Sequence, residues 1–227
     1  MLGDPNKIKF TTVTAKTRGA LLDSGELDMV IATFTITDQR KLILDFSPPY
    51  YTDGIALLVQ KSSGIKGLKD LNNKTIGVAK GADTATRLTA KASDVNVLLS
   101  FAAFETYGEI LAALQAGRVQ AFSTDDTILG GIEAEDPYLK LVGDPFSFEP
   151  HGLAFPLDDP YSTKDTEFIS FANGVLLGLE SHASGYCPES RLSSDATCWA
   201  ALYRTWVTVT VQLPRTTSQV PTPLFAG

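Results

Sequence analysis

Between Thr75 and Val142 short apolar runs alternate with helical segments, and that alternation confines the chain to a small set of folds. Thr75 to Ala79 reads as a strand. Gly81-Ala82-Asp83-Thr84 opens a helix running to about Lys91, and Asn96 to Phe101 is the next strand. Tyr107 to Gln115 is an amphipathic helix with Ile110, Leu111 and Leu114 on one face, and Gly117 stops it. Val119 to Ser123 is a strand, a helix from Asp125 or Asp126 runs to about Glu133, and Leu139 to Val142 is a short strand. Strands and helices taken in turn build a sheet with helices packed on its faces.

Upstream, Lys7 to Val13 alternates and predicts a strand, followed by a short helix that Thr14 could cap and that carries Leu21 and Leu22. Asp28 to Phe34 and Gly54 to Gln60 are further strands, the second ending at the polar break Lys61-Ser62-Ser63-Gly64. Downstream, Pro145 to Pro150 is a polar and aromatic connector, and Gly152 to Phe155 returns as a strand. Helices are expected over Asp165 to Ser181 and from about Thr197 to Trp206, and Val207 to Leu213 alternates like a strand.

One unit occurs twice. Residues 20–31 give a helix, a glycine stop and a strand leading to Thr33 and Thr35; residues 113–122 repeat the pattern and lead to Ser123-Thr124-Asp125-Asp126. Each half thus presents polar groups where a strand ends, the place where open α/β sheets bind ligands. Two such lobes, joined by connectors near Gln60 to Gly64 and Pro145 to Pro150, would face each other across a hinged cleft.

The net charge of −7 argues against a nucleic-acid partner, which needs a basic face. No apolar run approaches the ~18 residues that span a bilayer. The opening residues Met1-Leu2-Gly3-Asp4-Pro5-Asn6 lack the basic and apolar regions of a signal peptide, so either the protein is cytoplasmic or this is not its natural start. Cys187 and Cys198 are close and isolated among Ser, Gly, Pro and Asp residues; the expectation is a local disulfide, against two buried free thiols. With His182 they would offer a metal only three ligands at no standard spacing. No nucleophile–base pair, no Gly-x-Ser-x-Gly and no P-loop is present, and no metal or cofactor is expected.

The candidate site lies where the buried strand ending at Ala32 runs into Thr33-Phe34-Thr35-Ile36-Thr37-Asp38-Gln39-Arg40. Alternation puts Thr33 and Thr35 on one face, and Arg40 is a planar fork of donors suited to a carboxylate. Lys80 and Arg87 read as solvated charges flanking a helix, and His151 and His182 as structural.

These segments together resemble the polar-amino-acid solute-binding proteins of ABC importers, the bacterial extracellular solute-binding proteins of family 3. The resemblance rests on Leu-Leu-Asp-Ser-Gly-Glu-Leu-Asp, Thr-Ile-Thr-Asp-Gln-Arg, Asp45-Phe46-Ser47 with Pro49-Tyr50-Tyr51, and Leu68-Lys69-Asp70-Leu71. Gly77-Val78 with the Gly81 loop, Ala113 to Ala121, and Leu202 to Trp206 extend it. It implies a two-lobe type II fold closing on one polar amino acid of the glutamate or glutamine kind, with residues 1–58 and 150–227 in lobe one and 59–149 in lobe two. It also implies the site. Arg40 would hold the ligand carboxylate, helped by Thr35, and the Thr33 carbonyl would meet the ammonium. Lobe two would contribute N–H groups of the loop bearing Gly81, Ala82 and Thr84, with Asp125 accepting from the ammonium; Asp126 competes for that role. The membrane subunits of an importer would be the partner, outside the cytoplasm, with the binding protein a monomer or a strand-exchanged dimer.

The sequence departs from that pattern. The strand, pocket loop and helix that members carry before the strand at Lys7 are absent, so the expectation is an N-terminally truncated lobe one; the tail Val207 to Leu213 could fill the vacated strand slot. Ala82 stands where a hydroxyl residue is common, and the cysteine loop and the tail after Trp206 are extra. A cyclohexadienyl-dehydratase-like enzyme and the sensing domain of a receptor are the rival readings.

Overall fold

The computed structural model describes residues 9–157 together with the backbone of Val209–Val211. Its larger layer is a five-stranded sheet in the order β6-β5-β7-β4-β8. The strands are β4 (Ile55–Gln60), β5 (Lys74–Ala79), β6 (Leu99–Phe104), β7 (Ala121–Asp125) and β8 (Leu139–Val142). β5 runs parallel to β6 and β7, whereas β4 is antiparallel to β7 and β8. Helices α2 (Thr84–Asp94), α3 (Tyr107–Gln115) and α4 (Asp126–Glu135) connect the strands.

Both faces of this sheet are covered, which is why β4 is apolar from Ile55 to Val59 instead of alternating. Leu57 and Val59 pack with Ile76, Val78 and Leu88 in one core. Ala56 and Leu58 pack with Ile110, Leu114, Phe122 and Leu129 in the other. The close seat of α3 requires Gly77, since a Cβ there would lie 2.5 Å from Ile110 Cγ2. Thr106 begins α3 with a reciprocal cap: its side chain accepts from the Glu109 N–H while the Glu109 carboxylate accepts from the Thr106 N–H.

The smaller sheet has the order β11-β1-β10-β2, from β1 (Met29–Ile31), β2 (Leu44–Phe46), β10 (Ala154–Pro156) and β11 (Val209–Val211). Helix α1 (Arg18–Asp23) packs here, with Leu22, Leu27, Val30, Phe34, Leu44, Phe46 and Ala154 in the core. β11 pairs antiparallel with β1, Val30 opposite Thr210, so the alternating tail does supply an edge strand to this sheet. A two-stranded ribbon, β3 (Tyr51–Asp53) with β9 (Glu149–His151), carries the chain between the sheets. The molecule is therefore the expected α/β fold of two lobes.

Several local expectations shift. Among the described residues of that stretch, Phe10 to Val13 form no strand: Val13 is buried, but Phe10 is 64% exposed. β1 stops at Ile31 because a tight turn, Phe34 N–H to Ala32 C=O, takes the chain out of the sheet. Residues 34–36 then pair with β9 through Ile36 N–H to Pro150 C=O and the Thr35–His151 bridge. β6 starts at Leu99 because Asn96, with φ of 56°, closes the turn after α2 in the left-handed region. Of the expected connectors, Gln60 to Gly64 instead follows the end of β4 within the larger lobe. The helices expected over Asp165 to Ser181 and Thr197 to Trp206, and the Cys187–Cys198 pairing, lie outside the described residues.

Candidate functional site

Phe34 is the floor on which the first lobe's polar groups are arranged. It is buried, fixed edge-on against Phe46, and flanked in sequence by Thr33 and Thr35. Two guanidinium groups lie over its ring, Arg18 at 4.0 Å and Arg40 at 4.8 Å from the centroid. Arg18 donates to the Thr33 carbonyl at 3.0 Å, and Arg40 donates to the Thr35 carbonyl at 2.8 Å. The Arg40 backbone N–H is held by the Thr37 hydroxyl at 3.1 Å, which fixes where this side chain starts.

The second lobe meets these groups through the turn before α2. Gly81 has φ of +78°, and a Cβ on it would lie 2.7 Å from Lys16 Cα, so glycine allows the lobes to touch here. The Ala82 N–H is spent within the turn on the Ala79 carbonyl, at 3.3 Å. Asp83, at the N-cap position of α2, makes no capping bond; its carboxylate reaches Arg40 Nη2 at 3.1 Å. Thr84 is buried at the first turn of that helix.

Asp125 ends β7 and is 9% exposed. Burial, and then repulsion from Asp53, push its carboxyl up to about 6, while the facing Thr33 side chain works the other way. Next to it Asp126 is pushed up to about 8 by burial and by its hydrogen bond to Asp53. Arg40 with Asp83, Thr33 with Asp125 and Lys16 with Gly81 thus meet between the lobes, with Thr35 beneath Arg40 and Ala82 and Thr84 on the turn that bears Gly81. Groups expected to be free for a ligand are already engaged, however. The Thr33 carbonyl is held by Arg18, and Arg40 carries a carboxylate from the chain itself.

Other charges also depart from expectation. Arg87 is not simply solvated: it pairs at 2.9 Å with Glu149, which is 1% exposed on the ribbon. Lys80 pairs with Glu105 at 2.6 Å, and Lys16 of the other lobe reaches the same carboxylate at 3.4 Å. These hydrogen bonds hold Glu105 below the usual carboxylate range. Arg18, Asp83 and Glu149 escape sequence reasoning. The one available signal for Arg18 is its position one helical turn before the buried Leu22.

Comparison with known proteins places this geometry in context. Residues 2–182 match the model of the bacterial extracellular solute-binding proteins, family 3. The glutamine-binding protein of Geobacillus stearothermophilus is 43% identical over 154 residues, 67% of this chain and 57% of that protein. The ABC transporter glutamine-binding protein of Bacillus subtilis is 40% identical over 156 residues, 68% of this chain and 55% of its own length. The match therefore spans little more than half the length of either relative. Among solved structures, an ancestral amino acid-binding protein described as a precursor of cyclohexadienyl dehydratase superposes with a TM-score of 0.63. It is 26% identical and covers 88% of this chain and 77% of the other.

Proposed function

The chain belongs to the bacterial extracellular solute-binding proteins, family 3, and on that premise we propose that it binds a polar amino acid, glutamine or glutamate, between its two lobes. It would deliver the ligand, outside the cytoplasm, to the membrane subunits of an ABC importer. The observation that carries this reading is Arg40: a guanidinium 14% exposed, aimed from the first lobe across the cleft and already holding a carboxylate. In the ligand-bound state the amino acid's carboxylate takes the place of Asp83 on Arg40, supported by Thr35. Its ammonium is held by Asp125 with the Thr33 carbonyl, once Arg18 has moved off that oxygen. Gly81, Ala82 and Thr84 frame the carboxylate from the second lobe, Ala82 with its N–H turned from Ala79. Two lobes give this fold a way to bury a charge-paired zwitterion with every charged atom hydrogen-bonded, the condition under which buried ion pairs hold.

We place the lobe boundaries in the β3–β9 ribbon, slightly before residue 58 on the first crossing, because β4 belongs wholly to the larger sheet. Hinge closure then acts on that ribbon. The chain acts as a monomeric binder, not an enzyme; the likeness to the dehydratase precursor names the turnover to check, that of prephenate or arogenate. A thermal-shift screen of the amino acids tests the proposal. Glutamine or glutamate at one hundred times its dissociation constant adds ~2.7 kcal/mol of stability. A melting point that no amino acid moves contradicts it.

A further inference from the structure

We propose that Asp53, Asp125 and His151 form a binding site for a divalent transition metal of the zinc type, where the ribbon that joins the two lobes meets the larger sheet. Each residue is the last of its strand: Asp53 of β3, Asp125 of β7 and His151 of β9. Strand pairing sets them together, with Tyr51 opposite His151 and Ile55 opposite Asp125. They are 7%, 9% and 0% exposed, and one ligand atom from each lies within 4.8 Å of the other two.

The His151 imidazole itself calls for a ligand. Both ring nitrogens of His151 are buried without a hydrogen-bond partner among the described residues, a costly arrangement for a fully buried polar ring. Nε2 faces Asp53 Oδ2 at 3.8 Å, beyond hydrogen-bond reach. The ring plane is fixed by stacking on Tyr51, 6.5 Å between centroids and 9° between planes.

The supporting contacts suit a metal as well. Asp53 accepts from the Gly54 N–H at 2.7 Å and from the Thr127 hydroxyl, so its carboxylate is oriented. Among the described residues, neither Asp53 nor Asp125 has a lysine or arginine in an ion pair. One imidazole and two carboxylates favour zinc and its first-row neighbours over the all-oxygen sites of calcium and magnesium. Tetrahedral zinc with bonds of about 2.0–2.2 Å would hold these atoms ~3.4 Å apart, a contraction of at most ~1.4 Å. The metal site stands apart from the proposed function in all but one consequence. Asp125 is shared, so bound metal weakens amino-acid binding.

The test uses the whole chain, freed of metal by chelation. Zinc titrated against a chromogenic chelator should bind one ion per chain. Cobalt in its place should show the d–d bands of nitrogen and oxygen ligands without a thiolate charge-transfer band. Asp53→Asn, isosteric with the native residue, and His151→Gln should each weaken zinc binding by at least about tenfold. A chain carrying Cys187→Ser and Cys198→Ser should bind as tightly as the parent. Absence of zinc binding, a thiolate band, or unchanged affinity in a folded Asp53→Asn or His151→Gln chain overturns the proposal. The cobalt spectrum is recorded on the unaltered chain, so it decides the matter even if a variant does not fold.

Discussion

Replacing Asp83 by asparagine should tighten amino-acid binding, although it deletes an ion pair that the structure contains. Asp83 is 40% exposed and Arg40 14%, and their atoms approach to 3.1 Å. A pair screened on one side by water is worth ~0.2–1 kcal/mol. An incoming carboxylate that needs Arg40 must first give up that energy. Removing the charge removes the competition, so the dissociation constant should fall by roughly 1.4- to 5-fold. Asparagine keeps the size of the side chain and is an equally good residue at the start of α2, so helix stability should hold. Isothermal titration with glutamine, on parent and variant, reads the effect directly. Raising the salt concentration should shrink the gap, because the screened pair then competes less. Weaker or unchanged binding in the variant at low salt would refute the idea that Asp83 occupies the ligand's place.

Other consequences concern the scaffold. Thr106→Ala removes half of the reciprocal cap on α3 and should cost ~0.5–2 kcal/mol in urea unfolding, with amino-acid affinity unchanged. Gly77→Ala drives a methyl against Ile110 and should cost ~1–3 kcal/mol, partly recovered when Ile110→Ala is added, as thermal melts would show. Gly81→Ala both strains a left-handed backbone, by ~1–2 kcal/mol, and collides with Lys16 across the cleft. It should therefore weaken ligand binding, and scattering should find the lobes further apart.

What the sequence discloses depends on whether a residue's partner is near in the chain. α3 is read with the bounds the structure has, because its apolar stripe and terminal Gly117 lie within a dozen positions. β4, β5, β7 and β8 are read to within two residues for the same reason. β6 is read three residues early because a left-handed asparagine looks, in sequence, like the beginning of the strand. Arg18 and Asp83 are invisible at that range. Each looks like a solvated residue in or beside a helix, and its partner, Thr33 or Arg40, sits on another element. The same holds for Glu149 of β9, whose partner Arg87 sits on α2. Thr33, Arg40 and Asp125 can be nominated from strand ends, whereas the way the chain satisfies their charges is a tertiary property.

The most direct measurement is glutamine and glutamate titration against Arg40→Ala, with circular dichroism to verify the fold. Truncating one partner of a buried charge pair costs ~2–5 kcal/mol, so affinity should fall at least about 30-fold. A folded Arg40→Ala chain that binds either amino acid as tightly as the parent would contradict the account.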